Sequence, residues 1–519
     1  MTSNMKTFST NEVSLHNSAD DAWIIINGVI WDMSGFAPMH PGGEDVIQEH
    51  FGKDASKSYN GIHSPGLVSN YLKQAKAIGV VEASPPSAPV VIETTSEAGN
   101  PKLAAAPPEL DTILNLYDLE KAAQQSLPER AWHYFSGASN DCCTAAWNID
   151  FYRYILLRPR VLKSVAHCDM STTVMGQTFQ VPIFNSPASL AMLSHPKAEV
   201  ALAQGLAACG STIIIPTLAS YSAEEIVESL PKDYPFFFQL YVPRSMSARK
   251  NILDTVKQLK PAAIIITADL PVMSKREANE RYETRVAKAK EVSSQPSNVQ
   301  KRQSQGRTQA RAAGAAIESD LTWQDIRQIR EITGLPIFIK GIQCVEDAIR
   351  AMQIGCSGIY VSNHGGRAAD TAQPSILTLA EIRMRCPEVF ERMDVLVDGG
   401  IRRGSDILKA ICLGAKGVCL GRMFFYALIY GQEGVEHTIN SKCGQRGCQT
   451  LQRFSQTLLT LFSSVSKVLR DELETSMQLC GIKSLSEAHP GLLNTKFLNS
   501  LIEHGYSYPM LARVSESKL

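Results

Sequence analysis

Eight short apolar runs, recurring between helix-like segments, constrain this chain more than any other feature. They read VPIFNSP (181–187), STIIIPT (211–217), FFFQLY (236–241), AAIIITAD (262–269), LPIFIKG (335–341), GIYVSNHG (358–365), DVLVDGG (394–400) and GVCLGR (417–422). Each has strand length and is rich in β-branched or aromatic residues, as a parallel strand buried on both faces requires. Segments such as 222–230 and 322–332 carry helical patterning and supply the crossovers. An eightfold alternation favours a closed (β/α)8 barrel, the α/β TIM-barrel fold, over an open doubly wound sheet, which usually has fewer strands. No G-x-G-x-x-G follows an early strand in the setting of a dinucleotide site, which argues against nicotinamide chemistry.

Polar residues gather at or just after the C-terminal ends of different runs: Gln239, Tyr241, Thr267, Asp269, Lys340, His364, Asp398 and Arg422. That is the rim where a barrel assembles its active site. SNHGGRAAD (362–370) sets His364 three residues before Arg367. A histidine can act as a base near neutral pH, and an arginine can grip a carboxylate in a bidentate fork. Asp269 is placed to face His364 and steady the imidazolium, and Arg276 adds positive charge on the following loop. Lys340 can neutralise charge developing on a cofactor ring. A structural histidine or a strand-capping lysine would read the same. DGGIRRG (398–404) and GR (421–422) follow the last two runs, where barrels commonly hold phosphate.

Between Glu82 and Pro108, prolines and small residues replace any apolar period, which marks a linker. The unit before it is small enough that its core would be marginal without a cofactor or a partner. Within it His40 precedes PGG, and His63 follows 23 residues later in NGIHSPG. Paired imidazoles can hold haem iron from both sides, with glycines letting the backbone approach the porphyrin. Two surface turn histidines would share the spacing. Zinc needs further ligands that no compact cluster supplies, and CGQRGC (443–448) lacks a second cysteine pair.

Lysine plus arginine equals aspartate plus glutamate at 51 each, so no whole-protein field attracts nucleic acid or anionic lipid. No apolar run reaches the ~18 residues of a membrane helix, and the N-terminal stretch lacks the pattern of a secretory or mitochondrial leader. The twelve cysteines have no regular spacing and read as reduced thiols.

WIIINGVIWDMSGFAPMHPGGEDVI (23–47), with His63 downstream, resembles the cytochrome b5 module, an α+β fold that binds haem b between two histidines. The resemblance implies His40 and His63 as axial iron ligands and an electron carrier without an open oxygen site. The rim constellation resembles the FMN-dependent L-2-hydroxy-acid oxidising family, and the fused architecture its flavocytochrome b2-like members, which pass electrons to cytochrome c. That implies His364 as base, Asp269 as its partner, Arg367 and Tyr134 on the substrate carboxylate, Tyr241 near the substrate hydroxyl, Arg276 as auxiliary charge and Lys340 beside the flavin. Further FMN contacts are implied for Pro187, Ala188, Ser189, Gln239, Thr267, Ser362, Asp398, Gly400, Arg402, Gly421 and Arg422. The expected organisation is a haem domain at 1–81, a linker at 82–108, the barrel at 109–495 and a tail at 496–519. A homo-oligomer, tetrameric in the family, is implied as well.

Several stretches depart from the family pattern. YFSGASND (134–141) shifts a serine-glycine-alanine step by one place, Pro216 stands where a serine often approaches the flavin, and Met423 replaces a proline. Residues 281–316, rich in Gln, Ser, Arg and Ala without a sustained apolar face, read as a mobile excursion over the rim, either a lid or a solvated helix of no function. Residues 441–467 interrupt what reads as one family helix, as a genuine insertion or a retained intron would. Leu218 lies where glycolate-preferring relatives carry an aromatic, and Ser189 where lactate enzymes often have alanine, so the pocket is expected to accept at least a methyl group, with L-lactate first. Ser517, Lys518 and Leu519 match a peroxisomal address, so the peroxisome is the expected location; the mitochondrial intermembrane space, which the b2-like architecture resembles, and the cytoplasm are the alternatives. Oxygen in place of cytochrome c as acceptor would make the protein a peroxide-forming oxidase, and a haem module on an inactive barrel is the non-enzymatic alternative.

Overall fold

Each of the eight apolar runs forms a strand: β1 (Ile183–Asn185), β2 (Ile214–Pro216), β3 (Phe237–Leu240), β4 (Ala263–Thr267), β5 (Ile337–Ile342), β6 (Gly358–Val361), β7 (Asp394–Asp398) and β8 (Gly417–Leu420). The computed structural model describes residues 5–37, 40, 44–68, 76–82, 103–293, 316–439 and 468–502. Every ladder is parallel, in the order β1-β8-β7-β6-β5-β4-β3-β2. Strand alternation sorts the side chains. Ile264 and Ile266 of β4 join the outer helix-facing core, while Ala263 and Ile265 join Phe184, Phe237, Phe338, Tyr360 and Leu396 in a separate inner cluster. A hairpin, Thr172–Val174 with Gln177–Phe179, adds Val174 and Phe179 to that inner cluster.

The seam between β1 and β2 is closed by a side chain. Asn185 Nδ2 donates to the Ile214 carbonyl at 2.9 Å, and Ile214 N donates to Asn185 Oδ1 at 2.7 Å, so a buried amide replaces one backbone pair. The crossovers include the helices Ala198–Ala208, Ala223–Glu228 and Trp323–Thr333. The last two start in capping boxes built by Ser222 with Glu225 and Thr322 with Asp325.

The N-terminal unit is α+β, as the resemblance implied. Its sheet runs in the order Lys6–Phe8, Lys76–Val81, Val29–Asp32, Asp21–Ile26, Asn17–Ser18, with Lys53–Asp54 also paired to Asp21–Ile26. Ile24, Ile26, Met33, Phe36, Ile47 and Phe51 make a small core beside the two histidines.

Three expected boundaries change. The linker ends early: Leu103 packs on the barrel core, Ala104 N donates to Ser126 O at 2.8 Å and Tyr430 Oη to Pro108 O at 2.9 Å. The excursion at 281–316 begins as part of a helix, Glu277–Ser293, because Arg281 pairs with Glu277 and Arg285 with Glu129, supplying by charge what the missing apolar face cannot. The tail begins as the helix Lys496–Ile502, anchored by buried Leu498 and Ile502. Residues 294–315 of the excursion, residues 441–467 and the C-terminal tripeptide lie outside the described residues. Among the described residues no helix is long and apolar enough to cross a membrane.

Candidate functional site

β6 ends in a turn that aims the histidine. His364, Gly365 and Gly366 have φ of 58°, 64° and 74°, three successive left-handed residues that reverse the chain at the rim. A Cβ on Gly366 would lie 2.6 Å from Ala145 N, so only glycine admits that approach. His364 Nδ1 stands 2.9 Å from Asp269 Oδ1, a carboxylate with no exposed surface at the end of β4. Gly341 leaves the room, since a Cβ there would sit 2.5 Å from Asp269 Cβ. Lys340 Nζ lies 3.7 Å from Asp269 Oδ2 and donates to Ser362 Oγ at 3.2 Å, and the same hydroxyl accepts from His364 N at 3.0 Å.

Burial opposes charge on Asp269, yet Lys340 and His364 hold its carboxyl below its ordinary value. Burial pushes His364 down, against the pull of Asp269 and helped by Lys340. The ring is therefore neutral at physiological pH. With Nδ1 turned to the carboxylate, Nε2 is left to accept a proton.

Arg367 and Tyr134 come together beside this pair. The Arg367 guanidinium lies 5.4 Å from the Tyr134 ring centre, and its Nη1 donates to the carbonyls of Tyr134 at 2.9 Å and Gly137 at 2.6 Å. Tyr134 Oη is 3.1 Å from Ser189 Oγ. Arg276 is buried, with an Nε that has no partner among the described residues. Burial first, then the charge of Asp269, raises the Tyr241 phenol, which keeps its proton.

One cavity collects these groups. Tyr134, Tyr241, Arg276, His364 and Arg367 line it together with Leu218, Pro187, Ala188, Ser189, Gln239, Lys340, Asp398, Gly400, Arg402, Gly421 and Arg422. Asp269, Thr267 and Ser362 stand behind the wall: Thr267 Oγ1 accepts from Gln239 Nε2 at 3.0 Å, and the other two hold His364 and Lys340. At Asp398, Oδ2 accepts from Tyr360 Oη at 2.9 Å and Ser186 Oγ at 3.1 Å, whereas Oδ1 is buried with no donor among the described residues. An orphaned acceptor in the wall of a cavity that also holds a lysine suits a ligand with both hydroxyl donors and an electron-poor ring, as FMN has. The two arginines expected at phosphate are engaged elsewhere. Arg402 pairs with Glu120 at 2.9 Å, and Arg422 donates to the carbonyls of Phe135, Gly365 and Gly137. Both line the cavity, and Arg422 also braces the Tyr134 and His364 loops through those carbonyls.

In the N-terminal unit the ring centres of His40 and His63 are 6.3 Å apart at 84°. Two metal–imidazole bonds of about 2 Å, plus about 1 Å from each nitrogen to its ring centre, fill that span. Burial and the neighbouring His40 push His63 down to about 4, so it is a neutral donor, as an iron ligand must be. The pair fits a b-type haem held from both sides.

Reading the sequence missed Glu120, Ser186, Tyr360 and the reciprocal amide pair Asn148–Asn363, whose two bonds are 2.8 and 2.9 Å. These residues act on site residues from other elements, and no local pattern signals them.

Residues 123–458 match the FMN-dependent dehydrogenase family and residues 9–82 the cytochrome b5-like heme/steroid binding domain. The chain is 37% identical to the L-lactate dehydrogenase (cytochrome) of Saccharomyces cerevisiae over 96% of its own length and 81% of that protein. To a peroxisomal (S)-2-hydroxyacid oxidase of Arabidopsis thaliana it is 35% identical, over 64% of its own length and 90% of the relative. An arginine-to-lysine mutant of flavocytochrome b2 superposes with a TM-score of 0.62 at 33% identity, covering 80% of this chain and 98% of the other.

Proposed function

Because the chain belongs to the FMN-dependent dehydrogenase family and carries a cytochrome b5-like domain ahead of the barrel, we propose that it oxidises an L-2-hydroxy acid, L-lactate first, to the 2-oxo acid and passes the electrons through a b-type haem to an acceptor such as cytochrome c. The observation that carries this reading is the buried His364–Asp269 pair, 2.9 Å apart, opening on the same cavity as Arg367, Tyr134 and Lys340. Arg367, Arg276 and Tyr134 bind the substrate carboxylate, and Tyr241 holds the hydroxyl. His364 Nε2 receives a proton as the substrate is oxidised, and Asp269 stabilises the imidazolium. Bound FMN supplies the two-electron acceptor and the haem the one-electron relay. Lys340, which lines the cavity, would stabilise negative charge on a bound flavin ring. Asp398 Oδ1, Gln239 and the segment Pro187–Ser189 would hold the cofactor, with Thr267 bracing Gln239 from behind and Gly400 and Gly421 in the same wall.

Leu218 leaves room for a methyl substituent, which supports L-lactate over glycolate. A panel of L-2-hydroxy acids, with the 2-oxo product and the reduced acceptor both counted, tests the reading. Cytochrome c reduction at two equivalents per L-lactate is expected; stoichiometric peroxide with an idle haem would make the protein an oxidase instead. The oxidase reading draws on the likeness to peroxisomal hydroxy-acid oxidases and on Ser517–Leu519, which also supports a peroxisomal location. Imaging an N-terminally tagged chain with and without that tripeptide decides between the peroxisome and the mitochondrial intermembrane space. A homo-oligomer is also proposed, supported by the exposed stack of Tyr154 on Phe497, 4.2 Å between ring centres.

A further inference from the structure

The haem-bearing unit meets the barrel through the residue that follows its second histidine. Ser64 has no exposed surface. Its N donates to the Ser220 carbonyl at 2.8 Å and its Oγ to Glu225 Oε2 at 3.2 Å, while its own carbonyl accepts from Tyr59 Oη at 2.9 Å. The Tyr59 ring is 5.2 Å from that of His63, so the same short segment holds the histidine and reaches across the domain boundary. On the barrel side both partners are fixed from behind. Ser220 N donates to Glu199 Oε1 at 3.1 Å, and Glu225 Oε2 also accepts from Ser222 N at 2.8 Å in the capping box of Ala223–Glu228. The loop that carries Ser220 begins at Pro216 and Leu218, two residues of the cavity wall. One peptide turn therefore joins the wall of the flavin cavity to the docking point.

From this geometry we propose that Ser64, Ser220 and Glu225 form a docking latch that seats the haem-bearing unit where it receives electrons from the barrel. The proposal rests on the function given above. Oxidation of one hydroxy acid to the oxo acid releases two electrons and two protons; a b-type haem takes one electron at a time, each passed on to an external one-electron acceptor. The unit must therefore be correctly seated twice in each turnover. Among the described residues Ser64 makes two hydrogen bonds across the boundary, and the one to the Glu225 carboxylate is the charge-assisted member. Ser64 and Glu225 are thus positioning residues for electron transfer and touch neither substrate nor flavin.

The test uses the full chain loaded with both cofactors, as wild type, Ser64→Ala, Glu225→Ala and Glu225→Gln. Hydrogen–deuterium exchange of the peptide spanning residues 59–68 reads the latch without catalysis. Exchange is expected to speed up about tenfold in Ser64→Ala, the equivalent of ~1.4 kcal/mol. Haem reduction after L-lactate is expected to slow by a similar factor, while flavin reduction stays within about twofold. Glu225→Gln keeps the capping box and an acceptor for Ser64, so it should fall between wild type and Glu225→Ala. Unchanged exchange and unchanged haem reduction in both alanine variants would overturn the latch. A flavin that no variant and no wild type reduces with L-lactate would instead defeat the function reading, and the exchange data would still decide the latch.

Discussion

At the scale of the residue, catalysis depends on which nitrogen of His364 is free and at what pH. Burial lowers its proton affinity and Asp269 restores part of it, so the low-pH limb of kcat/KM is expected below the ordinary histidine value. Activity is lost as pH falls through that limb, because only the neutral ring accepts a proton. Asp269→Asn removes the pull that raises the ring, so it should move the limb to lower pH while cutting the plateau by about 10²–10⁴-fold; a limb that moves upward would contradict the pairing. Leu218→Trp should discriminate against the methyl of lactate, lowering kcat/KM for lactate relative to glycolate by about 10–200-fold, the equivalent of ~1–3 kcal/mol. His364 and Asp269 were legible because each follows directly on an apolar run whose end marks the rim. The pairing of Arg402 with Glu120 was not, since 282 residues separate them and only the closed barrel brings them together.

Elements were legible where burial dictates pattern and illegible where charge does. All eight strand runs became strands, because a parallel strand covered on both faces tolerates few polar residues. The helix Glu277–Ser293 was legible only as a solvated alternative to a mobile excursion, because it carries no apolar stripe, and exposed ion pairs to Glu277 and Glu129 lie along it. The seam at Asn185 was equally invisible, yet it has a measurable weight. Asn185→Ala leaves a buried N–H and C=O of Ile214 unpaired and is expected to cost about 2–5 kcal/mol in urea unfolding. Beneath the docking loop, burial raises the Glu199 carboxyl to about 7 against the hydrogen bonds it accepts from Ser220 and its neighbours. Its folded value lies above the unfolded ~4.3, so the fold binds that proton more tightly. Stability is then full below the unfolded value and falls as pH rises toward 7. Glu199→Gln stays neutral throughout, and its stability relative to wild type should climb by on the order of 3 kcal/mol between pH 5 and 8. A difference independent of pH would show that Glu199 is not titrating in this window.

For the molecule as a whole, the two-part organisation was visible in composition, and the histidine pair and rim motifs supplied the likeness to a family. How the parts meet was not visible, because Ser64 and Glu225 lie 161 residues apart with a linker between them. The insertion at 441–467 reads as either a genuine segment or a retained intron, and a transcript sequenced across it separates the two. In the proposed function, barrel and haem unit form one electron path starting from a hydroxy acid. Anaerobic stopped-flow mixing of the full-length, doubly loaded protein with L-lactate, recorded at flavin and haem wavelengths together, tests it most directly. Flavin bleaching followed by haem reduction, both abolished in His364→Gln, is the expected result. A flavin that reduces while the haem stays oxidised, or a haem that reduces equally in His364→Gln, would contradict it.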